Sequence, residues 1–374
     1  VLFVMTDADL DIRRPTLLLD EKRARRNIVS MARKADLARV RFRPHFKTHQ
    51  SLDVGGWFRE CGVDAITVSS VTMASAFAND GWTDITIAFP VNIKEIEVID
   101  ALAGRVDLGL LVDSESTVAR LAASLQNPVR VWLKVDVGYG RAGVRWDRPE
   151  EIRSLSRMVA RAKQLAFTGL LTHSGHSYHA QTREEILRIH TESIGRMAAA
   201  KAALDGALFE PCLVSIGDTP SCSVAEDFCG VDEIRPGNFV FYDLMQLASS
   251  ACEAEHLAVV VACPVVGKYP DRRQIVIYGG AVHLAKDTAC DARGRSIFGC
   301  LAERKRNAWS PRPDDAPVVA LSQEHGVVEL ASDLLAAVHI GDIVHVLPAH
   351  SCLTCGLHTE YRLIDGGMVR RICC

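Results

Sequence analysis

The densest reactive segment is Arg43-Pro44-His45-Phe46-Lys47-Thr48-His49, in which a lysine stands among cationic and aromatic residues. A lysine amine that is partly desolvated beside other cations loses its proton more readily, and the neutral amine is the form that condenses with a carbonyl to a Schiff base. The competing reading is a surface lysine paired with a carboxylate, so the other clusters must decide between them. The run Lys134-Val135-Asp136-Val137-Gly138-Tyr139-Gly140-Arg141-Ala142-Gly143 delivers Arg141 from a turn whose glycines let backbone approach a ligand. Leu170-Leu171-Thr172-His173-Ser174-Gly175-His176-Ser177-Tyr178 brings His173, His176 and Tyr178 within six residues, more acid–base chemistry than one satisfied core histidine requires. Ser215-Ile216-Gly217-Asp218-Thr219-Pro220-Ser221 and Arg235-Pro236-Gly237-Asn238 gather small residues, and the first runs into a helix start whose free N–H groups suit a phosphate. A lysine and a phosphate cup together fit pyridoxal phosphate. A separate pair, His350 and Cys352, stands at i and i+2, so on an extended segment both project to one side and form half of a Zn²⁺ shell. The Cys352-x-x-Cys355 spacing leaves open a redox pair or a structural zinc half-site.

The elements that must position these groups alternate between short β-branched runs and longer amphipathic stretches from residue 16 to about 245. The runs predict strands over Val40–Lys47, Ala65–Ser69, Ile85–Pro90, Asp107–Asp113, Val129–Asp136, Phe167–His173, Leu213–Gly217 and Glu233–Phe241. Helices are predicted before the first of these, over Asp20–Ala35, and between the others; Ser114 and Thr182 are natural caps, Gly104 and Gly206 natural stops, and the last helix is placed over Ser221–Cys229. Eight such units in about 230 residues is the arithmetic of a (β/α)₈ barrel, whose reactive groups collect at the C-terminal strand ends and whose phosphate sites follow strands seven and eight. After residue 250 the pattern becomes strand-like with few helical periods. The organisation expected is therefore an α/β protein, with a barrel over 16–250 and a second, mostly β domain over 251–374 to which residues 1–15 could return.

Composition narrows the function classes. The chain has 374 residues, 48% hydrophobic and 24% charged, with 43 Lys+Arg against 46 Asp+Glu for a net charge of −3. That balance, with no long run of one sign, suggests neither a nucleic-acid nor an anionic-membrane partner. Twelve cysteines in a chain of this length fall far below the roughly 8–10% of a disulfide scaffold, so free thiols in a reducing compartment are expected. No apolar stretch approaches the roughly 18 residues of a membrane span, and the expected location is cytoplasmic.

The ordered set of motifs resembles the fold-type III pyridoxal-phosphate enzymes, and within them the eukaryotic-type, zinc-dependent D-serine dehydratase and D-threonine aldolase family. The resemblance runs nearly end to end, through Pro15-Thr16 with Asp20, RPHFKTH, KVDVGYGRAG, SIGDTPSCS, RPGNFVFYD, Gln323-Glu324-His325-Gly326 and PAHSC. It implies an alanine racemase-like barrel with Lys47 bound covalently to the cofactor, His173 against the cofactor ring and Tyr178 facing the substrate. Arg141 would lie near the ring substituents, Arg235 at the pyridine nitrogen, and Ser215, Gly217, Thr219, Gly237 and Asn238 around the phosphate. His350 and Cys352 would hold Zn²⁺, with Mn²⁺ or another divalent cation as alternatives; the His-x-Cys form points to the dehydratases, where aldolases are expected to carry His-x-Asp. Asp218 departs from the small uncharged residue expected at its position.

On this resemblance the expected reaction is dehydration of D-serine, or a related small β-hydroxy-D-amino acid, to a 2-oxo acid and ammonia. Lys47 takes the α proton, and the metal activates the β-hydroxyl. Cleavage of Cα–Cβ to glycine and an aldehyde is the alternative, and D-threo-3-hydroxyaspartate is a further substrate that would need an extra cation. A non-catalytic pyridoxal-phosphate carrier has no use for the metal pair, and a barrel zinc hydrolase using His45, His49, His173 and His176 leaves Lys47 unexplained. The resemblance also implies a homodimer.

Overall fold

The computed structural model describes residues 11–372 apart from 205, 207, 208, 210, 306 and 307. Residues 1–10, Cys373 and Cys374 lie outside the described residues, so neither the return of the N-terminal segment nor the state of those two thiols is addressed. The described residues form two compact units that interleave in sequence: one takes residues 11–29, 48–54 and 238–372, and the other takes Ser30–Lys47 and Gly55–Gly237.

The second of these is the expected barrel. Strands Arg41–Phe42, Ala65–Val68, Asp84–Pro90, Asp107–Val112, Val129–Asp136, Leu165–Leu171, Leu213–Ile216 and Glu233–Ile234 pair side by side, all parallel. A bridge between His45 and Thr67 draws the first strand segment back to the second. The apolar runs read as strands because they are buried on both faces, as parallel strands between helices must be. Helices start where the capping residues stand: Ser70, Ser114 and Thr182 accept hydrogen bonds from the N–H groups of Met73, Thr117 and Glu185. Gly169 cannot be another residue, because a Cβ there would lie 2.0 Å from the Leu213 carbonyl oxygen of the adjacent strand.

Three elements differ from expectation for local reasons. The first and last strands are cut to two residues, since Pro44 and Pro236 have no N–H to give a ladder. The helix expected over Ser221–Cys229 instead spans Thr219–Val224, because Asp218 is its cap and accepts from the Ser221 N–H.

The other unit holds a ten-stranded, mainly antiparallel sheet in which Gln274–Tyr278, His325–Glu329, Pro317–Leu321, Gly299–Lys305, Ile343–Pro348 and Val259–Tyr269 follow one another, and the last pairs back with the first. This is a closed antiparallel barrel, the expected mostly β domain. Strand Thr16–Leu19 belongs here, pairing with Val259–Ala262 and with Arg362 and Leu363. All ten described cysteines are free, and no helix among the described residues is long and apolar enough to cross a membrane.

Candidate active site

At the C-terminal ends of the parallel strands a cavity of about 430 Å³ opens. Its walls bring together Lys47, Arg141, His173, Tyr178, Gly217, Arg235 and Gly237 of the predicted site, and add His45, Lys134 and Asp218. Ser215 and Thr219 stand next to lining residues rather than in the wall, and Asn238 is directed elsewhere.

A chain of hydrogen bonds fixes the deepest cation. Arg43, fully buried, pairs through Nε with Glu233 Oε2 at 2.6 Å and through Nη1 with Asp84 Oδ1 at 2.6 Å. Glu233 accepts from Ser215 Oγ at 2.7 Å, and Ser215 Oγ accepts in turn from Arg235 Nε at 2.7 Å. Arg235 also donates to the Thr172 carbonyl. Burial lowers the Arg235 pKa to about 10, with Glu233 opposing that shift. The Ser215 hydroxyl, expected at a phosphate, is thus used on both sides by protein groups.

His173 is hydrogen-bonded through Nδ1 to the Gly217 carbonyl, and its pKa is held well below the ordinary value by burial and then by the nearby Lys47 charge. With the carbonyl as acceptor, Nδ1 carries the proton and Nε2 is the free basic nitrogen. The Tyr178 hydroxyl accepts from the Thr219 N–H at 3.2 Å, and its ring lies 6.2 Å from that of His173. Asp218 Oδ1 accepts from Ser177 Oγ at 2.7 Å and Ser221 N at 2.8 Å, and burial raises its pKa. The carboxylate that looked out of place in the sequence therefore caps the helix while still touching the cavity. Arg141 is exposed at the rim, its guanidinium 5.1 Å from the centre of the Tyr139 ring.

The other unit contains the second expected cluster, with a corrected geometry. His350 is extended, but Cys352 lies in the helix Ser351–Gly356 that His350 caps, so alternation along a strand is not what joins them. They are neighbours nonetheless. Burial lowers the His350 pKa, yet Cys352 and Asp243 outweigh it and raise the value well above the ordinary range. His350 Nδ1 lies 3.2 Å from Asp243 Oδ2, and Cys352 Sγ lies 3.1 Å from Thr48 Oγ1. Asn238, expected at the phosphate, donates instead to Asp243 Oδ2 at 2.6 Å and to Ser351 Oγ at 3.0 Å. Its adjacency to Gly237 in sequence hid that the chain has already turned into the other unit. Asp243 is the residue that sequence reasoning missed here; its buried carboxylate also accepts from the Ser351 N–H at 2.9 Å. Among the described residues no group of three or more His, Cys, Asp or Glu is arranged to hold a metal.

A parallel barrel with a lysine in the turn that follows its first strand, joined to an antiparallel β barrel, is the architecture of the fold-type III pyridoxal-phosphate enzymes. Residues 19–244 match the family model described as "Alanine racemase, N-terminal domain", and residues 258–364 match that described as "Putative serine dehydratase domain". The chain belongs to the alanine racemase N-terminal domain family, here joined to a D-serine dehydratase domain. It is 29% identical to the D-threo-3-hydroxyaspartate dehydratase of Delftia sp. strain HT23 over 97% of this chain and 98% of that one. The solved structure of that enzyme covers the same shares, at 28% identity with a TM-score of 0.88; a solved Cys-to-Ala variant of it is in a metal-free form. The D-serine dehydratase of Dictyostelium discoideum is 27% identical over 95% of this chain and 94% of its own, and the 3-hydroxy-D-aspartate aldolase of Paracoccus denitrificans is 25% identical over 97% and 91%.

Proposed function

We propose that this chain is a pyridoxal phosphate- and zinc-dependent lyase that dehydrates D-serine or a related β-hydroxy-D-amino acid to a 2-oxo acid and ammonia. The observation that carries this reading is Lys47 opening into a cavity whose other walls are His173, Tyr178 and the buried Arg235. The residues suit the cofactor. Gly217 forms a cradle that a side chain would fill, since a Cβ there would stand 2.9 Å from both Cβ and the carbonyl oxygen of Arg235. Lys47 would hold the cofactor covalently, Arg235 would face its pyridine nitrogen, His173 its ring and Arg141 its ring substituents. With Ser215 and Asn238 engaged by protein groups and the Thr219 N–H given to Tyr178, phosphate binding falls to the backbone N–H groups of Gly217 and Gly237.

The bound cofactor supplies an electron sink for a bond to Cα. Lys47 Nζ takes the α proton. Tyr178, oriented by the Thr219 N–H, presents its hydroxyl proton to the cavity, and His173 stays neutral at physiological pH because of its environment. A thiolate and an imidazole are zinc ligands by softness, and Asp243 beside His350 Nδ1 would leave Nε2 to ligate the ion. His350 and Cys352 would hold zinc, or in its place manganese or another divalent cation, which would supply Lewis-acid chemistry at a leaving hydroxyl. The same resemblance supports a cytoplasmic homodimer, which light scattering on the eluting protein would read.

The test is product analysis with D-serine, D-threonine and D-threo-3-hydroxyaspartate, with and without a chelator. Keto acid and ammonia that disappear on chelation support the reading, glycine and an aldehyde would make the protein an aldolase instead, and activity indifferent to chelation would remove the metal assignment. Borohydride should fix the cofactor label to Lys47; protein that shows no lysine-bound cofactor absorbance would end the proposal.

A further inference from the structure

The sulfur of Cys352 has two hydrogen-bonding neighbours that the reaction above leaves without a role. Thr48 Oγ1 lies 3.1 Å from Cys352 Sγ, and Asn238 Nδ2 lies 3.5 Å from it. The three residues come from separate stretches of the chain, all within the unit that holds the antiparallel barrel, and all are buried. Asp243 fixes which way the Asn238 amide points, because Nδ2 lies 2.6 Å from its Oδ2 and an amide oxygen turned there would face a carboxylate. The amide bonds only through its nitrogen. Among the described residues, Asn238 Oδ1 is buried with no partner.

An amide nitrogen carries two protons, and three acceptors compete for them: Asp243 Oδ2, Ser351 Oγ at 3.0 Å and Cys352 Sγ. The carboxylate takes one, since a charged acceptor makes the stronger bond. The other is shared between the sulfur and a neutral hydroxyl, which itself donates to Asp243 Oδ2 at 3.3 Å. A sulfur that ligates a metal is a thiolate, so it has no proton to give and draws that N–H to itself. Thr48 is then the donor at the same atom. Two hydrogen bonds to one thiolate draw electron density off it, and an ion bound there stays more positive than on a bare thiolate. An asparagine kept where its buried oxygen satisfies nothing is kept for its nitrogen.

We propose that Thr48 and Asn238 are positioning residues for the metal pair, which donate hydrogen bonds to Cys352 Sγ from two sides and keep the thiolate a weak enough donor to leave the ion a strong Lewis acid. With the same amide Asn238 grips the carboxylate beside His350, so one side chain sets both halves of the pair. This rests on the reading of His350 and Cys352 as a zinc pair. It gives Asn238 a place at the metal, where the order of motifs implied one at the phosphate.

The test loads the full chain with Co²⁺ and reads the sulfur-to-cobalt charge-transfer band, with zinc affinity measured separately by competition with a chelating dye. A hydrogen bond stabilises the sulfur lone pairs and raises the energy of that band. Thr48→Val keeps the shape and loses the hydroxyl, so it should move the band to longer wavelength and weaken zinc binding about tenfold; Thr48→Ser should restore both. Asn238→Ala should shift the band the same way and weaken zinc binding by more than about tenfold, because Asp243 is released as well, while affinity for pyridoxal phosphate stays within about twofold. A band and an affinity unmoved in Thr48→Val, or Thr48→Ser as impaired as Thr48→Val, overturns the inference for Thr48 and leaves the zinc pair standing. Cofactor affinity lost with metal binding intact in Asn238→Ala overturns it for Asn238. Circular dichroism identifies a variant that fails to fold, in which case Thr48→Ala and Asn238→Ser decide by the same band. A wild type that shows no such band removes the zinc pair itself, and this inference with it.

Discussion

Asp218 is the residue whose chemistry runs most directly against its position. It caps helix Thr219–Val224 and lines a cavity expected to receive a phosphate, and like charges at close range in a buried site repel strongly. Asn caps helices as well as Asp does, so Asp218→Asn keeps the helix and removes the charge. The expected outcome is pyridoxal phosphate bound at least severalfold more tightly, measured by equilibrium dialysis of the apo protein. On the proposed reading, Asp243 would orient His350, whose Nδ1 lies 3.2 Å from its Oδ2, in a zinc pair with Cys352. Asp243→Asn should weaken zinc affinity by about 10- to 100-fold, measured by competition with a chelating dye. That Lys47, His173, Tyr178, Arg141 and Arg235 would line one cavity was legible in the sequence because strand ends in a barrel collect reactive groups. Lys134 stands in the same glycine-rich motif, but its burial in the cavity wall belongs to the fold, and no spacing announces burial.

At the level of the elements, the parallel strands could be read because each is a short apolar run between capped helices, and caps such as Ser114 and Thr182 sit where the pattern placed them. The shortened strands could not be read, since a proline limits pairing without disturbing the apolar pattern. The strands are held in place by the buried Arg43 between Glu233 and Asp84. Removing one partner leaves buried charge uncompensated, so Arg43→Met should cost about 3–5 kcal/mol in denaturant unfolding. Gly169→Ala should also destabilise, through the clash with the Leu213 carbonyl, and a variant with unchanged midpoint would show that the two strands can separate at no cost.

For the whole molecule, the sequence suggested a cut at residue 250, but the chain passes between the units at several points. Leu17, Leu18 and Leu19 are buried in the sheet that residues beyond 258 complete. A fragment ending at 250 would expose that strand edge, and it should be insoluble or lack a cooperative melt by circular dichroism. Acid should also weaken the intact protein earlier than carboxylates alone would. Burial lowers the His49 pKa to about 3, so the folded state resists the proton that the unfolded chain accepts near 6.5. Its stabilising effect is complete above about pH 6.5 and is lost as pH falls below that, at up to about 1.4 kcal/mol per pH unit until the folded value is reached. Urea midpoints measured at pH 7 and pH 5 should differ in that direction.

The hydrogen-bonded succession from Asp84 through Arg43, Glu233 and Ser215 to Arg235 has a consequence for how this protein can change. Each member satisfies the next, so no single replacement is neutral, while a concerted replacement of several by apolar residues would relieve all the stranded charges together. Drift at these positions is therefore epistatic. In a mutational library over these residues, survivors should appear as correlated sets rather than as independent substitutions, and the geometry of Arg235 is inherited as a block.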